Sequence, residues 1–300
     1  MLYQSVEKTA KKWGISDRSV RNYCAEGRVE GAELEGGIWY IPKDSKKPER
    51  KTRGTSHALL HILRQENRMS LRGGIYHKVQ IELTYNSNHI EGSRLTEDQT
   101  RYIFETNTIG LTQKFKGVRA NDVVETANHF RCVDYIIDNA NRKITEHMIK
   151  QLHLILKNGT SDSREDWFNV GEYKKLPNEV SGNATTPPAE VEEAMKKLIA
   201  RYHRKENPKL KDLLDFHHDF EAIHPFQDGN GRVGRLILFK ECLRLDIIPF
   251  IIDEDLKMFY YRGLHEWWRE PGFLLETCHA GQDKFLNYLE YFQIEPGRRN

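Results

Sequence analysis

The tightest constraint on this chain of 300 residues is a short turn between two stretches of helical periodicity. Residues 210–223 and 233–245 each repeat apolar side chains at helical spacing. Between them the chain reads His224-Pro225-Phe226-Gln227-Asp228-Gly229-Asn230-Gly231-Arg232. Glycine on either side of Asn230 lets the backbone bend until several N–H groups point into one concavity. The helix that follows adds unpaired N–H donors and a partial positive charge. Together these make an anion site, and phosphate is the anion such sites take most readily.

The side chains around this turn fit the same chemistry. Arg232 and Arg235 are three apart on a helix and share a face, and their guanidinium forks match phosphate oxygens. Asp228 would repel phosphates unless a cation lay between, so Mg²⁺ is implied. At the other end of the turn, His224 is able to take a proton near neutral pH. A base, a metal ligand, an amide nest and two arginines describe a phosphoryl- or nucleotidyl-transfer site, where charge growing on phosphate oxygens is stabilised.

The string also resembles the signature of the Fic (filamentation-induced-by-cAMP) family, HPFx[D/E]GNGRxxR, with each fixed position filled. The resemblance implies a protein adenylyltransferase that moves AMP from ATP to a protein Ser, Thr or Tyr hydroxyl. It makes His224 the base and has Asp228 hold Mg²⁺ between the α- and β-phosphates. Gly229, Asn230 and Gly231 then cradle phosphate, Arg232 binds it, and Arg235 reaches the γ-phosphate. Phe226 is a packing residue. The implied fold is mainly α, a helical bundle with a small β-hairpin flap at 177–187 onto which the protein substrate docks as an added strand. Tyr260 and Tyr261 are candidates to face adenine or to fill the core.

Upstream, Ser87-Asn88-His89-Ile90-Glu91-Gly92 resembles the family's inhibitory motif. Ile75, Val79, Leu83 and Ile90 fit one face of a helix over about 75–91, and Glu91 falls at its C-terminal end, where the dipole disfavours a carboxylate. In the family that glutamate pairs with the second arginine, here Arg235, and takes it from the γ-phosphate. Some members use the same glutamate to position a water and remove AMP, and the sequence does not choose between the directions. Relatives with this brake often dimerise, so a homodimer is an expectation carried by the resemblance alone.

Composition bounds the rest. Of the residues 30% are charged, and the net charge of +2 is too small to call for nucleic acid. The basic excess gathers in the first fifty or so residues, so only that end is suited to a polyanion. Cys24, Cys132, Cys242 and Cys278 lie far apart and form no CxxC pair, which reads as a reduced, cytoplasmic chain. No apolar run approaches a membrane span, and the N-terminus lacks a signal-peptide pattern.

Three segments are expected: a winged helix-turn-helix module over 1–46, a linker over 47–56 and the Fic domain over 57–300. In the first, Ser5 caps a helix over 5–13, a second helix covers 17–25 and ends at Gly27, and 32–41 alternates around Gly36-Gly37 as a hairpin does. It resembles MerR- and excisionase-like winged helices, which implies DNA contact through residues 16–25, with Arg18, Ser19, Arg21 and Asn22 in the major groove. Glu33 and Glu35 depart from the basic wing of that family and weaken the case by charge repulsion. The alternative for the whole chain is a DNA-binding transcriptional regulator whose Fic domain senses nucleotide.

Overall fold

A computed structural model describes residues 3–25, 29–35, 38–48, 57–108, 117–180 and 182–298. The chain divides into two units, residues 1–55 and 56–300. Gly27, the Gly36-Gly37 turn, most of the 47–56 segment and Ser181 lie outside the described residues, as do the side chains of Arg18, Ser19 and Asn22.

In the first unit α1 (Val6–Trp13) starts where the Ser5 side chain accepts the Lys8 amide, and it stops at Gly14, whose φ of 65° suits glycine. Next comes α2 (Asp17–Ala25). The strands β1 (Tyr3–Gln4), β2 (Glu33–Glu35) and β3 (Ile38–Pro42) form an antiparallel sheet in the order β1-β3-β2, with Gln4 opposite Ile41 and Leu34 opposite Trp39. Val6, Ala10, Trp13, Val20, Cys24 and Ile41 close a small core of their own. Arg21 is exposed on α2. Two residues at the start of the chain are too few to show a period, so β1 is an element that sequence patterning does not foresee.

The second unit is helical: α3 (Ala58–Met69), α4 (Ile75–Ile90), α5 (Glu97–Thr106), α6 (Ala120–Asp138), α7 (Glu146–Lys157), α8 (Pro188–His203), α9 (Leu210–Ile223), α10 (Asn230–Leu245), α11 (Glu254–His265) and α12 (Gly272–Tyr291). A two-stranded hairpin, β4 (Glu179–Val180) with β5 (Asn183–Ala184), interrupts them. A capping box opens α5: Thr96 Oγ1 accepts the Gln99 amide at 3.2 Å and Gln99 Oε1 accepts the Thr96 amide at 2.8 Å. α8 begins at Pro188, since proline at a first helical position loses no hydrogen bond.

α10 is the centre of the bundle, packed on α4, α6, α7 and α9. Its Val233, Leu236, Ile237, Phe239 and Cys242 are buried together with Leu213, Phe220 and Leu152. Periodicity alone started this helix at residue 233, whereas it starts at Asn230, since Gly229 takes a φ of 81° and serves as the N-cap. Asn230, Gly231 and Arg232 are therefore its first turn, with amides that no preceding helical carbonyl can reach. Among the described residues no helix is long and apolar enough to cross a membrane, and all four cysteines are free and buried.

Candidate active site

The loop from α9 to α10 is held by its own side chains. His224 ends α9 in the left-handed region at φ 51°. Phe226 is fully buried and stacks on the His153 ring, centroids 4.0 Å apart. Asn230 closes the loop: its Oδ1 accepts the Phe226 amide and its Nδ2 donates to the Phe226 carbonyl, both at 2.8 Å. That side chain is committed to shaping the turn, so what Asn230 can offer an anion is its backbone amide. Gly229 is required twice over, by its positive φ and because a Cβ there would stand 3.3 Å from Leu156 Cδ2.

His224 is partly buried. Its Nδ1 lies 3.3 Å from the Glu221 carbonyl, which can only accept, so Nδ1 carries the hydrogen and Nε2 is left with a lone pair. Burial lowers the pKa of this imidazole, and the Lys174 ammonium lowers it further against the pull of Glu221, Glu91 and Asp228. A neutral imidazole with Nε2 open is the state a general base needs.

Arg232 and Arg235 leave the helix start for different partners. Arg232 ion-pairs with Glu125, reaches Asp228 Oδ2 at 3.3 Å and approaches Asn88 Oδ1 at 3.5 Å. Arg235 turns to the end of α4: its Nη2 donates to Glu91 Oε1 at 2.7 Å and to the Ser87 carbonyl at 2.9 Å, and its Nε donates to Ser87 Oγ at 3.1 Å. Glu91 caps α4 just before Gly92, whose φ is 85°. Ser87 and Glu91 thus meet Arg235, 148 and 144 residues further along the chain, in one cluster.

Asp228 lies beside this cluster with half of its side chain exposed, toward a cavity of about 450 Å³ that Glu91, Glu125, Lys157 and Arg232 also line. Burial acts to raise its pKa, but Arg232 and Lys157 outweigh that and hold the carboxyl well below the usual range. No cluster of three or more His, Cys, Asp or Glu side chains suited to a metal stands among the described residues. Magnesium does not require one, since it is commonly held by one or two carboxylates, waters and substrate phosphates. An accessible, ionised Asp228 next to an amide nest fits that mode.

The hairpin is tied to the same loop. Lys174 donates its backbone amide to the Pro225 carbonyl at 2.9 Å, and its buried Nζ donates to Asn178 Oδ1, Thr185 Oγ1 and the Ile223 carbonyl. Asn178 Nδ2 donates to the Phe226 carbonyl at 3.0 Å. All four strand residues are exposed. Burial pushes the Lys174 ammonium down to about 8. Tyr260 is a core residue, its hydroxyl 2.6 Å from His217 Nε2, while Tyr261 is exposed and donates to the Ile90 carbonyl at 3.4 Å.

Lys157, Glu125 and Lys174 are site residues that sequence reasoning did not find. Lysine at the last position of α7 reads as a partner of the helix dipole. Glu125 carries no local signal, because its partners lie 32 and 107 residues away along the chain, and the tie from Lys174 to the end of α9 spans 49 residues.

A helical bundle whose central helix starts at the left-handed Gly229, with no side chain capping its first turn, defines the architecture. Residues 143–241 match the Fic/DOC family. Named relatives include the protein adenylyltransferase Fic of Nematostella vectensis, 25% identical over 61% of this chain and 42% of the relative, and that of Aedes aegypti, 27% identical over 60% and 36%. The chain spans well under half the length of these curated relatives. Among solved structures, a Fic-domain-containing signaling protein from Bacteroides thetaiotaomicron is 26% identical with a TM-score of 0.56, over 77% of this chain and 90% of that one. Fic-1 from C. elegans, 19% identical with a TM-score of 0.61 over 79% and 72%, shares the fold.

Proposed function

We propose that this chain is a protein adenylyltransferase that moves AMP from ATP to a Ser, Thr or Tyr hydroxyl of a protein and that Glu91 restrains it through Arg235. The likeness to named Fic adenylyltransferases supports the reaction class. The observation that carries the reading is the convergence of His224, Asp228, the α10 amides and both arginines on one loop, with Arg235 held by Glu91.

The groups have distinct tasks. The target hydroxyl loses its proton to Nε2 of His224 as its oxygen attacks the α-phosphorus, the bond to the β-phosphate bridging oxygen breaks, and pyrophosphate departs. Amides of the first α10 turn and the Arg232 guanidinium hold phosphate oxygens where charge grows. Asp228 would hold Mg²⁺, which would supply positive charge to the phosphates. The exposed hairpin edge aligns the target strand, and Lys174 fixes that edge to the loop carrying His224. While Glu91 engages Arg235, the guanidinium is withheld from the γ-phosphate and ATP does not settle in line for attack.

Incubating the full chain and its Glu91→Gly variant with cell lysate and ATP labelled at the α- or the γ-phosphate tests this. Protein labelling from the α-label alone, stronger by about 5- to 150-fold in the variant for a coupling of ordinary size, is expected. Labelling from the γ-position would replace the reaction, and equal α-labelling by the two proteins would remove the restraint.

A further inference from the structure

Lys157 ends α7 with its side chain 1% exposed, yet it lines the cavity beside Asp228. It stands 2.6 Å from Asp228 Oδ2, ion-pairs with Glu125 and lies 3.5 Å from Asp162 Oδ2. Lysine usually extends its head to water, and burying an ammonium is costly without carboxylate partners. Here Lys157 and Arg232 each bridge Asp228 and Glu125, so the four side chains form a ring of alternating charge. Both cations converge on one atom, Asp228 Oδ2.

That placement has opposite consequences for the two ligands of the cavity. A divalent cation approaching Asp228 meets a fixed positive charge already on the carboxylate. A phosphate approaching the α10 amides meets the same charge as an attraction. A lysine serving only to join α7 to α6 would affect stability and neither affinity.

We propose that Lys157 is a built-in counter-cation of Asp228 that weakens metal binding to the empty site and strengthens the hold on the phosphates of the nucleotide. This rests on the reading of Asp228 as the metal-holding residue of a nucleotide site. Lys157 is thereby a positioning and affinity-setting group that holds the Asp228 carboxylate at the cavity wall before metal and nucleotide arrive together.

The test uses the full chain, with Mn²⁺ alone followed by electron paramagnetic resonance and metal-free ATP followed by calorimetry. Lys157→Met tightens Mn²⁺ binding by about tenfold and weakens ATP binding by about tenfold, the scale expected for one charge at close range in a partly solvated site. Lys157→Arg restores both. Glu125→Gln, which leaves Lys157 to Asp228, weakens Mn²⁺ binding instead and keeps the test alive if Lys157→Met folds poorly. Unchanged affinities in Lys157→Met, or shifts of the same sign for both ligands, overturn the assignment. Failure of α-label transfer alongside opposed shifts removes the transferase reading and leaves the lysine assignment standing.

Discussion

Arg235 is held to α4 by two residues, Ser87 through two hydrogen bonds and Glu91 through the ion pair. Two of the three hydrogen bonds that leave its guanidinium for α4 go to Ser87, at 3.1 and 2.9 Å, and the third goes to Glu91 at 2.7 Å. Glu91 is itself 32% exposed, and when it swings away Ser87 still accepts two hydrogen bonds from the guanidinium. The contact is suited to a latch, costing less to open than the 3–5 kcal/mol or so typical of breaking a fully buried pair.

Gly231 reports on whether that latch is shut. A Cβ at this position would stand 2.3 Å from Glu91 Oε1 and 2.9 Å from Arg235 Nη1. Alanine ordinarily gains up to about 1 kcal/mol over glycine in a helix, but here it collides with the closed pair. We expect Gly231→Ala to destabilise the chain when Glu91 is present and to be neutral or stabilising with Glu91→Gly. A double-mutant cycle by denaturant unfolding should give a coupling of about 1–3 kcal/mol. Additive effects would mean that Glu91 does not rest against Gly231 in solution.

Lys174 links the hairpin to the loop that carries His224. Lys174→Met keeps the apolar stem and removes the three hydrogen bonds of Nζ. Labelling of protein targets should fall at least about tenfold, the size expected when substrate positioning is loosened, while ATP affinity measured by calorimetry stays within about twofold. Loss of ATP binding in this variant would place Lys174 in the nucleotide site instead.

Three buried imidazoles shape stability in acid. Burial, the largest cause in each, pushes His129, His153 and His217 down to about 3 from an ordinary value of 6.5. Below pH 6.5 the unfolded chain gains protons that these folded residues refuse, so stability falls as pH falls. Glu221 opposes them: burial raises it to about 8 from 4.5, so its contribution is complete below pH 4.5 and is lost as pH rises toward 8. Three groups outweigh one, and between pH 6.5 and 4.5 stability should drop by as much as about 2–3 kcal/mol per pH unit, from 1.4 per net proton. Unfolding in guanidinium across that range checks the slope, and a flat profile would show that these histidines are charged in the folded chain.

The motif around His224 was legible because its chemistry is local: a turn, a helix start and side chains within twelve residues. The pairing of Glu91 with Arg235 was legible only through resemblance, since no periodicity relates residues 144 apart. Sequence misplaced the start of α10 by three residues because Asn230, Gly231 and Arg232 look like loop, and only the left-handed Gly229 makes them a first turn. Lys157 and Glu125 stayed hidden for a different reason. Charged residues on amphipathic helices normally face water, and what turns these two inward is a ring of partners gathered from three helices and a loop.

The central claim is that the imidazole of His224 takes the proton of the attacking hydroxyl at a site that binds ATP without it. The direct measurement compares Glu91→Gly with the double variant Glu91→Gly/His224→Ala, following transfer of α-label to protein and ATP affinity by calorimetry. Transfer should fall by about 10²–10⁴-fold, the range for loss of a general base, with ATP affinity unchanged. Transfer that persists at the Glu91→Gly rate in the double variant would contradict the account.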